Sequence, residues 1–522
     1  MLFERLRDGT YDLDSLNTLL YDIPKAIYPQ LADSKELRNI QSAFFKTVYR
    51  LLLGKEQGPR LYLFLAAIDR ARYLGQLDFS YPETEEEKNA DKPAEKPAEQ
   101  AAPEPAPARE PDPVEPVKPQ VTVDDFAKLD DVLDSKAEGE SLTIRQKYYD
   151  YLLNGVKEAD GTTRFLTYGN GWCGIAYNAD YIDGTTYKVP RTTKELESLT
   201  ATFAALHAQD GSKPYPWILY SDTNNNGYWN YSVMTWEAQY DGLDYYYNNM
   251  LALKDENGNY PSREVFEKKD GRYKALEVVE SLLTPDTVSR SSTGTFTDAQ
   301  AVYLDGGAIM MVNGNWLMNE STGTKTNVKM MRFPVISSIV EKLENTSMSD
   351  STLAAIIDEV DAGKEESELC SASDFAKIKE ARTIMYNNAS EQYVFIPEYS
   401  PAKEGAKEFL KYFYSDKGIA AYNRATKLPA SARLADSSAF DASAIPEWNK
   451  QQFDFAENLT AITNTMTKSR LFKNSSTNQF ASLAFADKVW TTNTAARKDA
   501  EALWSDILSI IKENWSEWSK NV

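Results

Sequence analysis

The sequence predicts a mixed α/β domain over residues 131–522, preceded by a small α-helical segment (1–80) and an extended linker (81–130). Three observations predict this. Residues 1–80 carry apolar side chains at helical spacing, and residues 82–120 are nearly all Pro, Ala, Glu and Lys. From about residue 135, short β-branched or aromatic runs alternate with helical patterns, as α/β layers require. At 522 residues the chain also exceeds one ordinary hydrophobic core, so more than one domain is expected.

In the first segment, Asp33 and Glu36 have capping-box spacing before Leu37, Ile40, Phe44, Val48 and Leu51, which share one helical face. Gly54 stops that helix, and Gly58-Pro59 turns the chain into a second one at about 60–77. A small helical hairpin is the expectation. The linker buries too little apolar surface to offset its ordering entropy, so it is expected to be extended and disordered. In the third segment RFLTY, GIAYN, AIMMVNG, KMMRFPV and QYVFIP read as strands. TTKELESLTATFAALHAQ, AKEFLKYFYSDKGIAAYN and about 494–520 read as helices.

Composition excludes several function classes. A formal charge of −21 argues against tracking DNA or RNA phosphates over the whole chain. With His207 as the only histidine, a histidine metal centre or a Ser-His-Asp triad is not expected. Cys173 and Cys370 form no CxxC site and read as separate thiols. No secretory signal and no apolar run of membrane-spanning length is found, so the chain as written is expected in the cytoplasm. The aromatic load of 31 Tyr, 21 Phe and 10 Trp instead suits a protein that stacks rings on a neutral ligand.

That load is densest over 215–249, where Trp217, Trp229, Trp236 and many tyrosines sit among Asp222, Asn224, Asn226, Asn230, Glu237 and Asp241. Sugars present apolar C–H faces and a rim of hydroxyls, so rings beside amides and carboxylates suit them. Any single ring here suits a core as well as a cleft. Asp222, Asn224, Asn226 and Gly227 match the first half of a calcium-binding EF-hand loop, but Val233 stands where the bidentate Glu belongs. A full EF-hand is thereby excluded, leaving at most a loose Ca²⁺ site, and no cofactor is expected. Asp222 and Glu237 could pair as glycosidase carboxylates, yet nothing singles out a raised-pKa acid, so no enzyme is expected.

Four phrases carry a resemblance: YGNGWCGIAYNADYI (168–182), TTKELESLTATFAAL after Pro190, LDGGAIMMVNGNWLMNE (304–320) and AKEFLKYFYSDKGIAAYNRATKLPA (406–430). In this order they resemble the family 1 extracellular solute-binding proteins of carbohydrate ABC importers. The resemblance implies a two-lobed periplasmic-binding-protein-like fold, a carbohydrate ligand and a membrane permease as partner. It also implies an extracellular, lipid-anchored setting for the family. The recognisable sequence begins close to the first crossover between lobes, so lobe one is expected to be incomplete. The resemblance further points to Trp172, Asn170 and Tyr168 at that crossover, to Asn313, Asn315 and Trp316 at the Gly-x-Trp turn, and to Arg433 after LPA. Together with Trp229, Trp236, Asp222 and Glu237, these are the candidate ligand residues.

Residues 1–80 resemble a different family through LFERLRDGTYDLDSLNTLLYDIPK and AFFKTVYRLLLGKEQGPRLYLFLAAI: the C-terminal helical end of class I lysyl-tRNA synthetases. The HIGH and KMSKS signatures of that family are absent, so the resemblance implies at most a weak tRNA contact, through residues such as Lys46 and Arg50. The alternative reading of the chain is therefore a synthetase fragment joined to a binding-protein fragment.

Overall fold

The computed structural model describes residues 2–9, 11–29, 35–53, 61, 62, 65, 74 and 123–519, except 159–160, 220–227, 291–295, 322, 444 and 464–497. The expected linker over 82–120, the Asp33 cap and most of the helix expected at 60–77 lie outside them. The chain divides into two compact units, Met1–Pro116 and Val117–Val522.

The first unit contains helices α1 (Leu2–Asp8), α2 (Leu13–Ile27) and α3 (Lys35–Leu53). Asp12 starts α2 by accepting the Ser15 amide at 2.8 Å, while Ser15 Oγ accepts the Asp12 amide at 3.0 Å. Leu6, Leu16, Leu20, Val48, Leu61 and Leu65 form its core. Beside that core, Asn17, Tyr21, Phe45, Tyr49 and Tyr62 line a hollow of about 410 Å³. Lys46 and Arg50, one helical turn apart on α3, are exposed.

The second unit holds two sheets with separate cores. Strands β1 (Leu166–Thr167), β2 (Trp172–Asn178), β3 (Tyr215–Leu219), β4 (Val288–Arg290), β5 (Ala308–Gly314), β6 (Val328–Met330), β7 (Ile384–Asn387), β8 (Tyr393–Val394) and β9 (Thr460–Ile462) occur in chain order. The large sheet runs β4-β3-β5-β2-β7-β9, with β6 beside β7 on the β2 edge. β3 is parallel to β4 and β5, and β7 is parallel to β9, whereas β2 is antiparallel to its neighbours. β2 alternates: Cys173, Ile175 and Tyr177 enter one core and Trp172 and Ala176 the other, so the large sheet is covered on both faces.

Helices α4 (Thr193–Gln209), α5 (Trp229–Asp241) and α6 (Gly271–Leu282) pack on the first face. Thr192 caps α4 by accepting the Glu195 amide at 3.2 Å. Ten of the thirteen residues of α5 are buried, so its rings serve as core on all sides.

The small sheet is β1 with β8 alone, antiparallel, over a core of Leu129, Leu133, Ile144, Tyr148, Leu152, Leu166, Ile396 and Tyr414. Buried Lys147 holds this core to helix Asp416–Thr426, donating to the Tyr414 carbonyl at 2.6 Å and pairing with Glu140 and with Asp416. Ala127 and Leu129 are buried in it, so the chain joins this unit from about residue 123, inside the span expected to be linker. The single helix expected over 406–423 is two, Lys403–Phe413 and Asp416–Thr426, because Ser415 accepts the Gly418 amide and restarts the chain as an N-cap. The two cysteines are separate thiols, Cys173 buried and Cys370 partly exposed.

Candidate functional site

Two backbone passages join the sheets, residues 168–171 from β1 to β2 and residues 388–392 from β7 to β8. Helix α7 (Glu447–Asn458) adds a third link, with Ala456 in the small-sheet core and Trp448 and Phe455 against the large sheet. Three buried amides meet at the passages. Asn170 donates through its amide N–H to the Pro429 carbonyl at 3.1 Å and through Nδ2 to the Ala430 carbonyl at 2.7 Å. Its Oδ1 accepts from Tyr151 Oη and Asn387 Nδ2, both at 3.1 Å. Its carbonyl accepts from Asn315 Nδ2 at 2.8 Å. Asn387 Oδ1 in turn accepts the amides of Gly171 at 3.0 Å and Ala389 at 2.9 Å.

Beside this cluster, β5 ends at Gly314 and the chain turns through Asn315–Met318. Trp316 is partly exposed, with its ring edge-on to Tyr228 at 5.8 Å. Tyr228 stacks on Tyr231 at 5.6 Å and lies 6.3 Å from Phe296, which is 41% exposed. Tyr231 then stacks on Tyr386 of β7 at 4.5 Å. From the same turn Asn319 Nδ2 donates to the Thr426 carbonyl at 3.1 Å, reaching the end of helix Asp416–Thr426. That helix carries Tyr422, whose ring is edge-on to Tyr168 at 6.4 Å on the first passage. Gly169 allows this close approach: a Cβ there would fall 2.4 Å from the Tyr422 hydroxyl oxygen, so that side chain would have to shift. The result is a row of partly exposed rings on both sides of an amide-lined junction. Flat, partly exposed rings suit the apolar C–H faces of a polyhydroxylated ligand, while the buried amides hold the backbone between them.

The structure divides the candidate residues. Trp316 and Tyr168 line this region, and Asn315 supports it through its bond to Asn170. Trp172, Trp229, Trp236, Asn313 and Glu237 are buried, which corrects the expectation that they face a ligand. Trp172 packs between Tyr151 and Phe455, and among the described residues its indole N–H meets no acceptor. Trp229 packs edge-on against Trp217 at 5.1 Å. Trp236 packs on Phe333 and donates to the Pro334 carbonyl at 3.1 Å. Asn313 Oδ1 accepts the Gly314 amide at 2.7 Å. Strand β2 turns Trp172 inward, strand β5 turns Asn313 inward, and the enclosed helix α5 does the same for Trp229, Trp236 and Glu237. Arg433 lies 4.1 Å above the Tyr149 ring and pairs with Glu457 at 2.8 Å, which engages both its stacking face and its Nε. Asp222, with Asn224 and Asn226 of the calcium pattern, lies outside the described residues.

Sequence reasoning missed Asn387, Tyr422 and Phe296. The available signal was Tyr386-Asn387-Asn388 after a β-branched run, since asparagines ending a strand often cap a following turn.

Glu237 belongs to a charged cluster at the far end of α5 from Tyr228. Arg272 Nε and Nη2 each donate to Glu237 Oε2 at 3.2 Å. Burial raises the Glu237 carboxyl above its ordinary value, and Arg272 opposes the rise. Asp241, one turn on, is pushed up to about 7 by burial and by the negative charges of Glu237 and Asp270, against the pull of Lys342 and Lys268. No group of three or more His, Cys, Asp or Glu among the described residues could hold a metal ion. No helix among them is long and apolar enough to cross a membrane.

No family model matches the chain. A stretch of 61 residues, 12% of the chain, is 39% identical to a lysine–tRNA ligase of Pyrococcus furiosus, and the chain spans 10% of that relative's length. Among solved structures, the chain is similar to a protein of xylan utilization by the thermophilic bacterium Caldanaerobius polysaccharolyticus (14% identity, 74% of this chain and 80% of the other, TM-score 0.48). It is similar to the SBP RafE of Streptococcus pneumoniae in complex with raffinose (13% identity, 71% and 81%, TM-score 0.44). It is also similar to the bacterial solute receptor AcbH, described by an exclusive substrate preference for β-D-galactopyranose (15% identity, 74% and 78%, TM-score 0.45).

Proposed function

We propose that residues 131–522 are the substrate-binding component of a carbohydrate ABC importer, capturing a sugar or oligosaccharide between two lobes. The observation that carries this reading is the row of partly exposed rings, Trp316, Tyr228 and Phe296 with Tyr168 and Tyr422 nearby, beside the passages between the sheets. The four-phrase sequence resemblance supports it independently, since the Trp316 turn and the Tyr168 passage fall within two of those phrases. Capture requires no chemistry. The sugar stacks on the rings, the lobes close on it by hinge motion, and a permease recognises the closed form. Apparent affinity then scales with the fraction of molecules able to close. The test is calorimetric titration of the full chain with neutral mono- and oligosaccharides. Saturable binding of at least one supports capture, and none across the panel contradicts it.

For the first unit we propose a weak tRNA contact through the exposed Lys46 and Arg50 face of α3. The resemblance of residues 1–80 to the helical end of lysyl-tRNA synthetases, read from the sequence, motivates this reading. A salt-sensitive gel shift with tRNA, weakened by reversing both charges, tests it.

A further inference from the structure

We propose that Asn170, with Asn387 as its partner, is the lock that fixes the two sheets of the second unit against each other, and so is a positioning residue for the ligand site. Asn170 is 1% exposed, and each of its polar groups is engaged: backbone N–H and carbonyl, Nδ2 and Oδ1. Nothing is left for a sugar hydroxyl. Its bonds divide by destination. Pro429 and Ala430 belong to the small-sheet side, where Ala430 is core, while Asn387 ends β7 and Asn315 opens the turn that follows β5, both strands of the large sheet.

Because the 168–171 backbone is held from both sides, rotation at residue 170 breaks bonds to both lobes together. A junction of discrete bonds is made or broken as a set, which gives a hinge with two states rather than a soft bend. Asparagine is the residue that serves here: its short amide offers a donor for the Ala430 carbonyl and an oxygen that takes two donors. Aspartate loses the donor. The lock governs ligand capture only on the reading proposed above, but its effect on the hinge needs no ligand.

The experiment is hydrogen exchange and small-angle scattering on the full chain, without sugar, for Asn387→Asp, Asn170→Asp and Tyr151→Phe. Asn387→Asp keeps an acceptor for Gly171 and Ala389 but sets oxygen against Asn170 Oδ1. Amides of 168–171 and 388–391 are expected to exchange about tenfold faster, the loss of one buried amide bond. The scattering profile should shift, while β5 amides keep parental protection. Tyr151→Phe removes only one donor and is the gentle variant that decides the matter if the aspartates fail to fold. Uniform loss of protection, or parental exchange at the passages with β5 protected, overturns the lock. A lock effect without any sugar binding would instead sink the capture reading and leave this one standing.

Discussion

The Trp316 ring lies over the α-carbon of Gly314: a Cβ on Gly314 would fall 2.1 Å from a ring carbon. The turn therefore places the ring only because residue 314 has no side chain. Gly314→Ala must move either the ring or the end of β5. Its expected effect is loss of sugar binding equal to that of Trp316→Ala, with a stability cost of about 1–3 kcal/mol from overpacking. Calorimetric titration alongside urea unfolding separates the two effects.

Trp236 and Trp316 should behave as opposites. Trp236 is fully buried with its N–H bonded, so Trp236→Ala is expected to cost about 3–5 kcal/mol. Trp316 is only partly covered, so Trp316→Ala should cost less than about 2 kcal/mol. Urea midpoints of the two variants check the order.

Glu237 and Arg272 form a buried pair, with side chains 7% and 10% exposed. Removing one partner leaves the other charge buried, so Arg272→Met is expected to cost about 3–5 kcal/mol. Adding Glu237→Leu should recover most of that loss, because the uncompensated charge is gone. A double-mutant cycle in urea measures the coupling.

Asp241 gives stability a pH dependence of defined sign. Its carboxyl titrates at about 7 in the folded chain, above the ordinary carboxylate range. The folded state thus holds a proton that the unfolded state has released, and stability falls as pH rises from about 4 to about 7. Melting temperatures of parent and Asp241→Asn at pH 5 and pH 8 test this. The variant should lose this contribution to the decline, and an unchanged decline would contradict the assignment.

Much of the fold was legible in sequence because its strands obey simple patterns. GIAYN and AIMMVNG are short apolar runs bounded by glycine or asparagine, and they became β2 and β5. The densest aromatic stretch misled for a physical reason. Residues 215–249 hold β3 and the enclosed α5, and a helix buried on all sides uses rings as packing volume. Composition alone cannot separate packing rings from stacking rings, so Trp229 and Trp236 looked like Trp316. Asn387 was missed for another reason, although the sequence did point to Asn170 and Asn315. Asn170, Asn315 and Asn387 are far apart in sequence, and only the strand order of the large sheet brings their amides together.

Sugar capture at the Trp316 turn is best tested by intrinsic tryptophan fluorescence of the full chain titrated with neutral oligosaccharides. A saturable shift is expected for at least one sugar, absent in a Trp316→Ala variant that retains the parental urea transition. No shift across the panel, or a shift of parental size in Trp316→Ala, would contradict it.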